Sequence, residues 1–286
     1  MKSLGIIGSD NSHSSSIAKV CNVKKSVSLR VTHIAGESRA SAEKSAAAGA
    51  IPHIVDHWQE LAGLVDVVMI DHRHGKDHEE PARYFLERGI PTFIDKPLTT
   101  ELASARALLA LAAEKRTPVC SFGLIPLQAR FRKFLAAVQG DGLIRAVNTT
   151  GPADLVSPNG GIFFYGFHQV DAIVELLGTE AESAYLLENQ GNGVGVIRFS
   201  GGRLATINCL QGEAVFHWTA CTAQGVHALT NRYDRAVYLP SSRILARFAQ
   251  TGVSPWSTSR MLAPIAILEA LEKSRRSGHP ENVERV

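Results

Sequence analysis

Through residues 1–123, short apolar runs alternate with stretches whose apolar positions recur at helical spacing. Residues 2–8 read as a strand and 12–22 as the helix after it. Residues 27–35 form a second strand, followed by an alanine-rich helix over 39–48. Ile54 belongs to a short strand or turn, and 57–64 carry helical periodicity. Residues 65–70 (VDVVMI) are apolar almost throughout, the pattern of a strand covered on both faces. A helix over 79–89, a strand over 91–95, an amphipathic helix over 100–115 and a sixth strand over 118–123 complete the series. Thr100 stands at the N-cap position of the last helix, with Glu101 in its first turn. Such alternation predicts an α/β domain with a doubly wound parallel sheet of the nucleotide-binding kind, ending near Gly123.

Beyond Gly123 the pattern changes. A helix is predicted over 131–138, a strand over 143–149 and a glycine-led helix over 160–177. Period-two runs follow at 182–187, 193–199, 203–211, 217–223 and 236–239, separated by turn signals such as NQGNG and SGG. A helix over 261–274 and a polar tail close the chain. This predicts a second, α+β domain with an antiparallel sheet, over 124–286.

The length, 286 residues, suits two ordinary domains. The net charge is only +3, and no block of lysine and arginine runs beyond a few residues. That leaves no footprint for nucleic acid or an anionic membrane. The amino-terminal apolar run is too brief for a signal segment, and no stretch approaches the ~18 apolar residues of a membrane span. The four cysteines show no CxxC spacing and read as reduced thiols of a cytoplasmic protein.

Chemistry concentrates at the predicted strand ends. Lys96 follows the strand 91–95 and precedes Pro97, which holds it extended at the carboxyl edge of the sheet, where open α/β sheets bind ligands. Asp95 supplies a local counter-charge. In the turn after the first strand, GSDNSHS, only Gly8 survives from a GxGxxG dinucleotide fingerprint; Asp10 and His13 take the second and third glycine positions. Asp10 is predicted to turn from phosphate and cap the helix through the N–H of Ser12 or His13, leaving backbone N–H groups with Ser9, Asn11, Ser12 and Ser14 as donors. After the second strand, Glu37 is placed to accept from an adenosine ribose and Arg39 to pair with a 2′-phosphate, so NAD and NADP both stay open. Asp71, His72, His74, Asp77 and His78 follow residues 65–70; they read as a loop lining the cofactor crevice, and no metal is expected. On the helix 160–177, His168 and Asp171 are i, i+3 neighbours, and a carboxylate there can orient an imidazole acting as acid or base.

Taken in order, the GIIGSDNSHS start, the IDKPLT segment and GFHQVDAIVELLG resemble the Gfo/Idh/MocA family of NAD(P)-dependent oxidoreductases, the last two matching its EKP and GxHxxD signatures. The ending LEKSRRSG is similar to the family's closing segment. The resemblance implies a Rossmann domain followed by an α+β domain whose open sheet often joins subunits, here as a homodimer or homotetramer. It implies hydride transfer between NAD or NADP and a hydroxyl or keto carbon of a sugar-like or cyclitol-like substrate. Lys96 then falls on the catalytic lysine and His168 on the general acid/base, with Asp171 beside it. Gly8, Ser9, Asp10, Asn11, Ser12, His13, Glu37, Arg39, Asp71, His72, Asp95 and Lys96 line the cofactor. Many members carry aspartate four residues before the histidine, where this chain has Phe164, so a polyol contact is lost. Two alternatives stay open: transient use of bound NAD for elimination or bond cleavage, and a cofactor-poor sensing or scaffold protein on the same fold.

Overall fold

The structure, a computed structural model, describes residues 1–231 and 236–286. It comprises two compact units. The first takes Met1–Thr99, Ala103–Leu124 and Ala236–Ser257; the second takes Thr100–Leu102, Ile125–Arg235 and Thr258–Val286.

In the first unit, β1 (Lys2–Ile7), β2 (Leu29–Ala35), β3 (His53–Ile54), β4 (Val67–Ile70), β5 (Thr92–Ile94) and β6 (Val119–Cys120) form one parallel sheet in the order β3-β2-β1-β4-β5-β6. All four residues of β4 are buried, which explains its unbroken apolar pattern. The intervening helices are α1 (Ser12–Ala18), α2 (Arg39–Gly49), α3 (Glu79–Glu87) and α4 (Leu102–Lys115). The helix predicted over 12–22 is α1 continued by a π-helical stretch, Lys19–Val23. The helical periodicity at 57–64 yields only a 3₁₀ turn, Trp58–Leu61. At the amino edge, Asp66 ties β1 to β4 by accepting from Ser3 N and Oγ, both at 2.8 Å, and from Lys2 Nζ at 2.9 Å.

The order of strands reverses between β1 and β4. A crevice therefore opens at their carboxyl ends, where crossover helices leave in opposite directions. The ladder runs one residue past each strand: Gly8 N donates to Ala35 O at 2.8 Å, Asp71 N to Ile7 O at 2.7 Å and Asp95 N to Ile70 O at 2.8 Å. Gly8, Asp71 and Asp95 are thereby fixed along one edge.

The second unit holds α5 (Ala129–Gly140), β7 (Ile144–Pro152), α6 (Ile162–Leu177), β8 (Ala181–Asn189), β9 (Asn192–Phe199), β10 (Arg203–Leu210), β11 (Phe216–Thr222) and β12 (Val226–Asn231). The chain then returns to the first unit as α7 (Tyr238–Thr251), before α8 (Thr258–Ser277) and β13 (Glu281–Asn282) close the second. The seven strands order as β12-β11-β7-β10-β9-β8-β13. The sheet is mixed rather than wholly antiparallel, because β7 and β10 pair in parallel and the rest antiparallel. β9 alternates exposed and buried residues along its whole length, so one sheet face is core and the other is open.

Two expectations change here. Residues 236–239, read as a strand, lead into α7, whose first turn takes Pro240 without a lost hydrogen bond. That helix packs on α1, β1 and β2 and belongs with the parallel sheet. β12 and β13 add strands that the period-two pattern did not mark.

Candidate functional site

The turn after β1 is tight. Gly8 has φ +99°, and a Cβ there would lie 2.8 Å from Asp71 carbonyl carbon and from His72 N. Only glycine adopts this backbone without strain. The helix cap differs from the expectation for Asp10. Asn11 is the N-cap of α1, its side chain accepting from His13 N, whereas Asp10 is exposed and its N–H donates to Glu37 at 3.1 Å. The turn geometry brings Asn11, one residue later, over the first free N–H groups of the helix.

His13 carries the more consequential change. An imidazole replaces the fingerprint's third glycine, and it turns inward to the carboxyl edge of the sheet. His13 Nδ1 stands 3.1 Å from both Asp95 oxygens and 4.0 Å from Asp71 Oδ1. Asn11 Nδ2 donates to Asp71 Oδ1 at 2.9 Å and reaches Asp95 Oδ2 at 3.4 Å. Lys96 Nζ lies 3.6 Å from Asp95 Oδ2. His13, Asp71, Asp95 and Lys96 are all buried.

Two carboxyl groups this close, out of water, do not ionise equally. Burial and then the Asp95 charge push the Asp71 carboxyl well above its ordinary range. Burial also acts against the Asp95 charge, but His13 and Lys96 outweigh it and hold that carboxyl below the ordinary range. The two carboxyl groups are therefore pushed apart, Asp95 toward the ionised form beside His13 and Lys96, and Asp71 toward the protonated one. Donor atoms of His13, Asp71 and Asp95 lie within 4.8 Å of one another, the spacing of a metal trio. The Asn11 amide and Lys96 Nζ, however, already face those carboxyl oxygens, and the group is a hydrogen-bonded cluster. Asp71 Oδ2 is buried, and the backbone N–H of Ser14 acts on that carboxyl.

The histidines after β4 serve the loop itself. His78 is buried and bridges the carbonyls of Pro97 and His72, both at 2.9 Å. Burial lowers its pKa. His74 Nδ1 accepts from Lys76 N at 3.1 Å. Through His78 the segment after β4 braces the Lys96–Pro97 corner.

At the end of β2, Glu37 accepts from Ser9 N at 2.7 Å, Ser9 Oγ at 3.0 Å and Asp10 N. Arg39 points elsewhere, to Glu43 at 3.0 Å and Asp56 at 3.2 Å. Ser12 Oγ meets the Tyr238 hydroxyl of α7 at 3.5 Å. The Gly8 turn, the Glu37 carboxylate after β2 and the Asp71 carboxyl after β4 line a single sheet edge, the place where open α/β sheets hold a dinucleotide.

In the second unit, Gln169 Nε2 donates to Gly151 O and Asn208 O, both at 3.2 Å, which fixes the roll of α6 on β7 and β10. His168 on that helix is buried against the rings of Phe216, Tyr165 and Phe167, with centroids at 5.7, 6.1 and 6.1 Å. Asp171 does not serve as its orienting partner in the way the spacing implied. Asp171 Oδ1 accepts from Arg260 Nη2 at 2.6 Å, and its other oxygen accepts no hydrogen bond. Arg260 also bonds Glu175 at 3.2 Å. Burial raises the Asp171 pKa, with Arg260 opposing.

Comparison with known proteins bears on this arrangement. Residues 2–122 match the GFO_IDH_MocA family model, an oxidoreductase family with an NAD-binding Rossmann fold. An uncharacterised oxidoreductase of Escherichia coli K12, YhhX, is 26% identical over 151 residues. That match covers 49% of this chain and 44% of YhhX, so the chain spans less than half the length of the curated relative it matches. Among solved structures, a probable dehydrogenase from Thermotoga maritima superposes with a TM-score of 0.84 at 16% identity, covering 98% of each chain. A myo-inositol dehydrogenase from Lactobacillus casei, in complex with NAD(H) and myo-inositol, gives 0.84 at 14% identity, covering 100% of this chain and 98% of that one. At these identities the likeness establishes the fold.

Proposed function

We propose that the chain is an NAD(P)-dependent dehydrogenase acting on a sugar-like or cyclitol-like hydroxyl, on the strength of the match of residues 2–122 to the GFO_IDH_MocA oxidoreductase family model with its NAD-binding Rossmann fold. One observation carries this reading: a buried lysine at the end of β5, on the crevice edge of a β3-β2-β1-β4-β5-β6 sheet. Nicotinamide bound at this edge supplies or accepts the hydride. Lys96 offers its ammonium to the reacting oxygen and stabilises the alkoxide as charge develops. His168 takes or returns the hydroxyl proton. Gly8 lets the backbone approach the pyrophosphate, and the Ser12 hydroxyl supplies a donor beside it. Glu37 binds the adenosine ribose and repels a 2′-phosphate, while Arg39, matched by Glu43 and Asp56, does not invite one. We therefore assign NAD over NADP.

The substrate class follows the myo-inositol complex of the Lactobacillus casei structure, with Phe164 giving one side of the substrate a less polar neighbour than a polyol prefers. The open sheet face presents Leu187, Val194, Val196 and Leu204, all more than a third exposed, and we assign it to pairing with a second copy in a cytoplasmic homodimer or homotetramer. The deciding experiment is a nicotinamide fluorescence titration with NADH and NADPH, followed by a screen of cyclitols and aldoses with wild type and Lys96→Ala. The expected result is tighter NADH binding and a ~10²-fold or greater loss of rate in the variant. Turnover unchanged by Lys96→Ala overturns the assignment.

A further inference from the structure

Glu37 is exposed just past the end of β2, yet its carboxylate is held by three donors that all fall on one oxygen. Ser9 N donates to Oε2 at 2.7 Å, Ser9 Oγ at 3.0 Å and Asp10 N at 3.1 Å. Two of the three come from Ser9, the residue that follows Gly8 in the turn after β1. Ser9 is itself buried and fixed from α2: Ser45 Oγ donates to Ser9 O at 3.0 Å, and Ser41 Oγ stands 2.6 Å from Ser9 Oγ. Ser41 forms the capping box of α2 with Ser38, which leaves it little freedom to move off. Room for the Ser9 hydroxyl comes from Gly36, where a Cβ would collide with Ser9 Oγ.

We propose that Ser9 is a positioning residue for cofactor choice: it pins one Glu37 oxygen, so that the carboxylate stays where the adenosine ribose binds and its other oxygen accepts from the 2′-hydroxyl. The proposal rests on the Glu37 role given above. An exposed glutamate is ordinarily free to rotate, and ordering it on binding costs side-chain entropy. Here the ordering precedes the cofactor, which favours the ligand that the fixed geometry accepts. Fixing also acts on the ligand it rejects. A free carboxylate swings away from a 2′-phosphate and lets water screen the repulsion, whereas one held by Ser9 stays and repels. Among the described residues no ion pair draws Glu37 off, since Arg39, two residues on, pairs with Glu43 and Asp56. None of the three donors falls on Oε1.

The test reads binding rather than turnover. NADH and NADPH are titrated by nicotinamide fluorescence into wild type, Ser9→Ala, Glu37→Ala and the double variant. Wild type is expected to prefer NADH. Ser9→Ala is expected to weaken NADH about fivefold, the worth of one hydrogen bond, and to leave NADPH within about twofold or tighter. Glu37→Ala is expected to abolish the preference, and adding Ser9→Ala to it should leave the NADH to NADPH ratio of dissociation constants unchanged. A purely structural role for Ser9 would weaken both cofactors alike and would persist without Glu37. An unchanged ratio in folded Ser9→Ala overturns the proposal, as does a wild type with no preference for NADH. Should Ser9→Ala not fold, Gly36→Ala, whose Cβ displaces the Ser9 hydroxyl, must narrow the ratio or the proposal falls. Failure of the dehydrogenase reading looks different: wild type would then bind neither cofactor, and the proposal would go with it.

Discussion

Gly8 and Asp71 meet backbone to backbone: a Cβ on the one would press to 2.8 Å against the carbonyl carbon of the other. β1 and β4 are neighbours in the sheet, so neither backbone can retreat without breaking the Asp71 N to Ile7 O bond. Gly8→Ala is expected to cost about 2 kcal/mol or more, from the positive φ and the clash together. Urea unfolding checks this, and a midpoint equal to wild type would show that the turn relaxes freely.

Asn11 does two things, capping α1 and bridging two buried carboxyl groups, and substitutions separate them. Asn11→Ala should cost roughly 1–2 kcal/mol. Aspartate caps helices as well as asparagine does, so a capping role alone makes Asn11→Asp neutral. If the Asp71 and Asp95 contacts matter, Asn11→Asp is worse than alanine, since it sets a third carboxyl against them. Thermal melts of the two variants at neutral pH decide.

Arg260 is the counter-charge for Asp171 and Glu175 on α6, with its side chain 15% exposed. Removing one partner of a buried ion pair leaves the other charge stranded, so Arg260→Met should cost about 3–5 kcal/mol. Adding Asp171→Asn to that variant should recover part of the loss. Unfolding free energies for the two single variants and the double close the cycle, and strict additivity would deny the pairing.

The Asp66 staple gives a pH signature. Its hydrogen bond from Lys2, then those from Ser3 N and Oγ, lower its pKa to about 2 from an ordinary 3.8. A depressed carboxyl stabilises the fold fully above its unfolded value and loses that contribution as pH falls through its folded one. The stability difference between wild type and Asp66→Asn should therefore be constant above about pH 5 and shrink toward zero near pH 2. The side chain is 37% exposed, so the effect is modest. A difference that grows on acidification would contradict it.

How much of this was legible beforehand follows from how local each signal is. The β4 run was legible because burial on both faces leaves an unbroken apolar pattern. Lys96 was legible as a crevice residue because Pro97 and the strand end lie next to it in sequence. The meeting of His13, Asp71 and Asp95 was not, since only the order of strands brings residues 13, 71 and 95 together. Asp10 and Asn11 are both good caps, and the choice between them depends on how the Gly8 turn aims the chain. Helix α7 carries a weak signal in the sequence. Its buried face runs through Ser241, Ser242, Leu245, Ala246, Phe248 and Ala249 at helical spacing, but the first two are hydroxyl residues. Both return their protons to Tyr238 O, so they pack as small inward residues. The spacing of His168 and Asp171 places both on α6, but Asp171 bonds Arg260, 89 residues along the chain, which no local pattern marks.

The return of α7 to the first unit also fixes an order of events during synthesis. The parallel sheet is encoded by residue 120, yet the helix that packs on α1, β1 and β2 ends at residue 251, beyond nearly all of the second sheet. On the ribosome, then, the first unit waits with one flank uncovered while more than a hundred further residues emerge. A gene fragment stopping near residue 124 would encode a sheet without its cover, and swapping either unit between relatives would need several cuts rather than one. The two units fold as compact bodies, but they are inherited and translated as one.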